Sequence, residues 1–235
     1  MGIYRRPAQL RNTLVSIRKQ TLQPHQIIIT DDGINQDNEQ TSQICKEYGA
    51  EYYHRLSRPA DVLANSSIAL NISIKKATGD VLVIQCPECK YEDKDGLEQL
   101  VAPVVENPLV TTFPRVQALH ENGHSFITWF IHEIHNPRFL NFCQALRTDL
   151  ALQVGGFDER MQGPGWDDDD FEQRLVAHGA IQTRVATLVS HQWHQGWARG
   201  TEWHNKALYE ETAARIALGD KPVANEGKSW GNIYS

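Results

Sequence analysis

The stretch His25-Gln26-Ile27-Ile28-Ile29-Thr30-Asp31-Asp32-Gly33 decides the fold. Its apolar run is short and continuous, and it stops at two acids and a glycine. A run of this kind, bounded by turn residues, predicts a strand buried on both faces. The flanks agree. Residues 7–21 read as a helix, with Pro7 in its first turn and Leu10, Leu14 and Ile17 at helical spacing. Residues 37–48 read as a second helix closed by Gly49, and Glu51 to His54 as a short strand.

The same alternation continues outward. Residues 62–78 read as a helix with Ile68, Ala69 and Ile72 inside, stopped by Gly79. Val81-Leu82-Val83-Ile84 reads as another buried strand, and 94–106 as a helix that ends before Pro108. Strand and helix in turn predict an α/β fold: an open, mostly parallel sheet with helices on both faces. Ligands in such folds sit at the C-terminal ends of strands. The loops at those ends are Asp31-Asp32-Gly33 and Gln85 to Cys89, and both carry carboxylates.

The second half is more mixed, and predicts a small antiparallel element. Residues 109–119 read as a strand, Asn122-Gly123 as a hairpin turn and 125–131 as the return strand. Phe142 to Arg147 reads as a strand. A helix is expected from Asp168 to about His178, a strand over 181–190 and a helix over 202–218. No repeat, low-complexity block or linker interrupts the chain. We expect one domain over 1–235, with 200–235 as a C-terminal helix and tail.

A chain of 235 residues and 26.7 kDa can build a core without staples. Its composition is that of a globular protein, which excludes disordered, collagen-like and coiled-coil readings. No run of 18 apolar residues predicts a membrane helix, and the start lacks the apolar segment of a signal peptide. A cytoplasmic location is the expectation. Lys+Arg 23 against Asp+Glu 29 gives −6, which gives no support to a nucleic acid partner. The four cysteines are too sparse for a disulfide scaffold. Cys86-Pro87-Glu88-Cys89 has metal or redox spacing, but no second pair follows. Two small residues at a strand end is the plainer reading.

Four constellations carry chemistry. Gly163-Pro164-Gly165-Trp166-Asp167-Asp168-Asp169-Asp170 places four acids in succession. A helix dipole favours one or two of them in a first turn, hardly four. A bound cation would relieve their repulsion, or one could act as a general base on a hydroxyl. Ser190-His191-Gln192-Trp193-His194 follows an apolar strand. Its imidazoles are surface residues or metal ligands, and both reach one site only if the strand has ended. Glu88 is a loop carboxylate after the strand 81–84. Asp31-Asp32 is either turn chemistry or part of a ligand site.

In order, these segments resemble the family 2 glycosyltransferases of the GT-A fold, over about residues 4–195. Arg6-Pro7-Ala8-Gln9-Leu10-Arg11-Asn12-Thr13-Leu14 is similar to the family's N-R-P-x-x-L-x-x-T-L helix. Ile28 to Gly33 is similar to its V-V-D-D-G-S loop. Ala69-Leu70-Asn71, Ala77-Thr78-Gly79-Asp80, Gly155-Gly156-Phe157-Asp158-Glu159 and the Asp167–Leu175 segment are similar to its A-R-N-x-G, A-x-G-D, G-G-F-D-E and E-D-x-D/E-x-x-R-L elements.

The resemblance implies an inverting, non-processive transferase that moves a sugar from a nucleoside diphosphate-sugar, UDP-sugar first, to an acceptor hydroxyl. Asp168, with Asp167 before it, would be the general base. Tyr4, Arg5, Asp31, Asp32 and Asn71 would bind the nucleotide. A divalent cation, Mn²⁺ or Mg²⁺, would sit on Glu88, His191 and His194. Gly155, Gly156, Trp166 and Asp169 would shape the substrate pocket. The chain departs from the pattern at Cys86-Pro87-Glu88, where the family has D-x-D, and at Leu70 and Ser73. The processive Q-x-x-R-W is absent. The family's first strand is reduced to Met1–Pro7. The expectation is therefore a truncated central strand whose gap is filled by the tail Ser229–Ser235 or by a partner chain in a homo-oligomer. A saccharide or other hydroxyl compound is the expected acceptor. A sugar-binding module without catalysis and a metal-dependent hydrolase are the competing readings. Trp203 is expected to pack the last helix onto the core, while Trp193 and Trp197 are candidates for stacking on sugars or bases.

Overall fold

The structure is a computed structural model. It describes residues 1–33, 37–55, 65–126, 138–195 and 202–233. The fold is mixed α/β, with a parallel sheet in its first part as the sequence predicts. β1 (Gly2–Ile3), β2 (Ile28–Asp31) and β3 (Glu51–His54) pair in that order, all parallel. α1 (Pro7–Arg18) starts on its proline, whose missing N–H is no loss in a first turn. It buries Leu10, Leu14 and Ile17 against Ile27, Ile29 and Ile44. α2 (Asp37–Glu47) leads to β3. α3 (Ser66–Lys76) is capped by Asn65, whose side chain accepts from the Ile68 N–H at 3.1 Å. The start of the helix expected from residue 62 lies outside the described residues.

The second sheet departs from expectation. β4 (Val81–Gln85), β5 (Cys89–Tyr91), β6 (Val110–Leu119), β8 (Cys143–Arg147) and β9 (Ile181–His191) run in the order β4-β8-β6-β9-β5, and β7 (Ser125–Phe126) pairs with β6. Only β6 and β9 are parallel; the remaining pairs are antiparallel. The antiparallel part is thus larger than the sequence suggested. Hydrophobic periodicity gives strand existence, not partner or direction. Residues 127–131 of the expected return strand lie outside the described residues. α4 (Gly96–Glu106) packs on β6, and α5 (Thr148–Gln153), which no sequence signal marked, follows β8. α6 (Asp167–Ala177) and α7 (Glu202–Ala217) pack against each other. A second apolar cluster, with Phe157 stacked on Phe171 at 4.3 Å, lies under α6.

β1 is two residues long, and a slot lies beside it between β2 and β4. The Thr148 N–H donates to Asp80 O and the Cys86 N–H to Phe142 O. Antiparallel pairing alternates, so Val81, Val83 and Gln85 turn their backbone groups away from β8. No strand pairs with β4 on that side among the described residues. Across the gap lies β2, which β1 covers only from Ile28 O onward. Between them is a cavity of about 300 Å³ lined by Met1, Ile27, Ile28, Val81, Val83 and Leu97. The C-terminal tail does not fill it. Trp230 instead lies against Lys75 at 4.0 Å, and Gly231 against the backbone of Asn71, both on α3. Trp203 also departs from expectation: it is 80% exposed and does not anchor α7.

Candidate active site

A cavity of about 320 Å³ opens where β1, β4 and β9 end and α6 begins. Its wall holds Tyr4, Arg6 and Asp32 on one side, Cys86 and Glu88 on a second, and Asp167, Asp168, His191 and His194 on the rest. α1 organises two of these walls. Thr13 Oγ1 donates to Pro87 O at 2.7 Å, holding the loop after β4. Gln192, buried at the end of β9, donates to Gln9 O, Thr13 Oγ1 and Glu88 O, and accepts from Asn12 at 2.8 Å. β9 ends at His191, so His191 and His194 reach the same side, ring centres 5.2 Å apart.

The acids start α6 after Trp166, which takes a left-handed backbone with φ 69°. Their fates differ. Asp170 is buried against Arg174 at 2.9 Å, a structural i,i+4 pair. Asp169 accepts from Arg138 Nε and Nη2 at 3.1 and 2.6 Å. Asp167 accepts from Ser66 Oγ at 3.1 Å. Asp168 lines the cavity, with the Asn141 backbone N–H against it and the Arg138 charge close enough to feel it. Burial pushes its carboxyl well above the usual range, and the charges of Asp167 and Asp169 add to this. Burial also raises Asp167. A carboxylate lifted toward neutrality is a better proton acceptor than an ordinary one.

The imidazoles are shifted the other way. Burial, then His194 and Arg6, push His191 down to about 3, and burial and Arg6 lower His194. Both are neutral at physiological pH, the form of imidazole that ligates cations. Glu88 is engaged by Arg6 in an ion pair, both side chains largely buried. Among the described residues, no three histidine, cysteine or acidic side chains converge as a ready metal site. The four cysteines are free, and burial holds the Cys86 thiol up at about 12, far from a thiolate ligand.

Several expected site residues do other work. Asp31 is buried, accepting from the Gly33 N–H at 2.8 Å and Tyr52 Oη at 3.0 Å. It braces the loop, and Asp32 beside it reaches the cavity. Asp32 in turn accepts from Arg55 at 3.1 Å and the Asn65 N–H at 2.6 Å. Asn71 is fully buried and bonded to Phe157 and Glu159, away from the cavity. Gly155 and Gly156 are glycines for packing. A Cβ would meet Ala224 O at 2.0 Å and Asn71 Oδ1 at 2.3 Å, and both φ values are positive. Arg5 is exposed with its guanidinium over the Tyr4 ring. Trp166 packs on Tyr209 at 5.0 Å. Trp193 is 44% exposed, and Trp197 lies outside the described residues. Arg138 was missed, since a single arginine carries no spacing signal, and Arg6 was marked only as part of the N-R-P resemblance, without a site role.

The arrangement of sheets and helices is the GT-A fold of glycosyltransferases. The family model described as glycosyl transferase family 2 matches residues 1–157, and the chain belongs to that family. Similar solved structures include GalNAc-T7 with UDP, GalNAc and Mn²⁺, at 17% identity and TM-score 0.67 over 86% of this chain. The mannosyltransferase PcManGT from Pyrobaculum calidifontis, in complex with GDP-Man and Mn²⁺, aligns over 94% at 15% identity and TM-score 0.62. TarS of S. aureus aligns over 93% at 13% identity and TM-score 0.64. The chain spans 46%, 64% and 39% of those three chains. No curated protein sequence matches it significantly. No helix among the described residues is long and apolar enough to cross a membrane.

Proposed function

We propose that the chain is one catalytic domain of an inverting, non-processive glycosyltransferase, moving a sugar from a nucleoside diphosphate-sugar to an acceptor hydroxyl. The observation that carries this is Asp168: a raised carboxyl at a helix start, open to a cavity that Asp32, His191 and His194 also line. Two fold neighbours whose structures contain UDP or GDP-Man with Mn²⁺ support the donor class.

Asp168 takes the proton of the acceptor hydroxyl, whose oxygen attacks the anomeric carbon as the bond to the diphosphate breaks. One base and one displacement invert the configuration. Asp167 keeps a second negative charge beside the base, and Ser66 fixes it. Asp32, held by Arg55 and the Asn65 N–H, borders the nucleotide end of the cavity. The neutral His191 and His194 fit a divalent cation such as Mn²⁺, with Glu88 as the carboxylate beside them. When bound, that cation supplies Lewis-acid neutralisation of the diphosphate leaving group. The acceptor is a saccharide or other hydroxyl compound, and the slot beside β2 is where a partner strand would complete the sheet.

The test is Asp168→Asn. Transfer should be lost while UDP- or GDP-sugar binding, read by thermal shift with and without Mn²⁺, persists. Retained turnover would remove Asp168 from the role of base.

A further inference from the structure

The residues suited to hold a metal already surround one positive charge. Arg6 closes the turn from β1 into α1, on irregular backbone with φ −138° and ψ 46°, just after Arg5 at φ 57°. Its guanidinium pairs with Glu88, the two side chains 14% and 3% exposed. His191 and His194 line the same cavity as this pair. Arg6 therefore shares one pocket with the carboxylate and the two imidazoles. A carboxylate as buried as Glu88 needs a cation beside it. In the absence of metal, Arg6 is that cation.

We propose that Arg6 is the resident cation of the donor site: it holds Glu88 while the site is empty, yields it to the divalent cation, and turns its guanidinium onto the diphosphate. This rests on the nucleotide-sugar and metal reading above and adds the residue that couples the two ligands. Two cations compete for one buried carboxylate, so metal entry displaces the guanidinium. The arriving diphosphate offers paired oxygens that match its planar fork. Metal alone must pay for a displaced, unpartnered arginine, whereas metal with diphosphate re-pairs it. The two ligands bind cooperatively as a result.

Calorimetry on the whole chain tests this, with MnCl₂ alone and with UDP or GDP at saturating Mn²⁺. Arg6→Gln should bind Mn²⁺ alone about tenfold tighter and the nucleoside diphosphate about tenfold weaker. Arg6→Lys should lie between. Opposite shifts separate this role from a structural one, since a loosened site would weaken both ligands. Should Arg6→Gln fail to fold, the wild-type protein decides: UDP or GDP must raise its Mn²⁺ affinity. Unchanged affinities in Arg6→Gln, or uncoupled ligands in the wild type, overturn the role of Arg6 alone. A wild type that binds neither ligand overturns the donor reading and this proposal with it.

Discussion

Asn71 clasps Phe157 from both sides of its peptide: Nδ2 donates to the Phe157 carbonyl at 2.8 Å and Oδ1 accepts from its N–H at 2.8 Å. The clasp fastens the Gly155–Phe157 turn to α3. Gly156 sits at φ +66° with Asn71 Oδ1 2.3 Å from where a Cβ would be. Gly156→Ala should therefore cost about 2–4 kcal/mol of stability in urea unfolding. Nucleotide affinity of the folded fraction should stay unchanged. Weaker nucleotide binding at unchanged stability would return Gly156 to the substrate pocket.

Transfer should lose rate on acidification well above the pH at which an ordinary carboxylate protonates. Asp168 must be ionised to accept a proton, and burial with Asp167 and Asp169 raises its carboxyl. Asp167→Asn removes one of those charges, so the acid limb of the kcat profile should move to lower pH. An unmoved limb would mean another group sets it.

Glu172, one turn along α6 from Asp168 and outside the cavity lining, offers a stability test. It is on the buried face of α6, accepts from Gln182 at 2.8 Å, and burial lifts it from 4.5 to about 8. The folded state therefore binds the proton more tightly than the unfolded state. Stability should fall as pH rises from about 4.5 to about 8, by at most about 1.4 kcal/mol per pH unit. Glu172→Gln should flatten that slope, as read by thermal melts across the range. A slope equal to that of the wild type would place the titration elsewhere.

Five apolar residues joined ahead of Met1, for instance Val-Thr-Val-Ile-Val, should raise the melting temperature by several degrees. In the register of β1 they would run beside Val81 and Val83 on one side and Pro24 to Ile28, leading into β2, on the other. Val83→Pro, which removes an N–H facing the slot and not β8, should abolish most of the gain. Equal melting temperatures with and without the extension would show the slot does not take a strand.

The first sheet and the acid helix were legible because their signals are local. The isoleucines of β2 end at Asp31-Asp32, and Pro7 and the leucines of α1 repeat at helical spacing. The direction of β8 and β9 was not legible, because both are apolar runs in either orientation. The site divides the same way. Asp168, His191 and Asp32 stood out as charges at element ends. The clasp of Asn71 and the pairing of Arg6 with Glu88 are contacts over 86 and 82 residues, and no spacing announces them. The family motifs marked Asn71 and Gly156 as nucleotide and substrate residues; the contacts they make in the structure are with each other's elements, Asn71 to Phe157 and Gly156 against Asn71.

The slot also sets a distance. Asp32 follows β2 on one bank, and Cys86 and Glu88 follow β4 on the other. The short β1 is the sole strand between those banks among the described residues, and it pairs with β2 alone. Among the described residues, no backbone ladder ties the Asp32 bank of the cavity to the Glu88 bank. Side-chain packing across the slot therefore sets how far Asp32 stands from Glu88, and a substitution that changes that packing changes the width of the cavity.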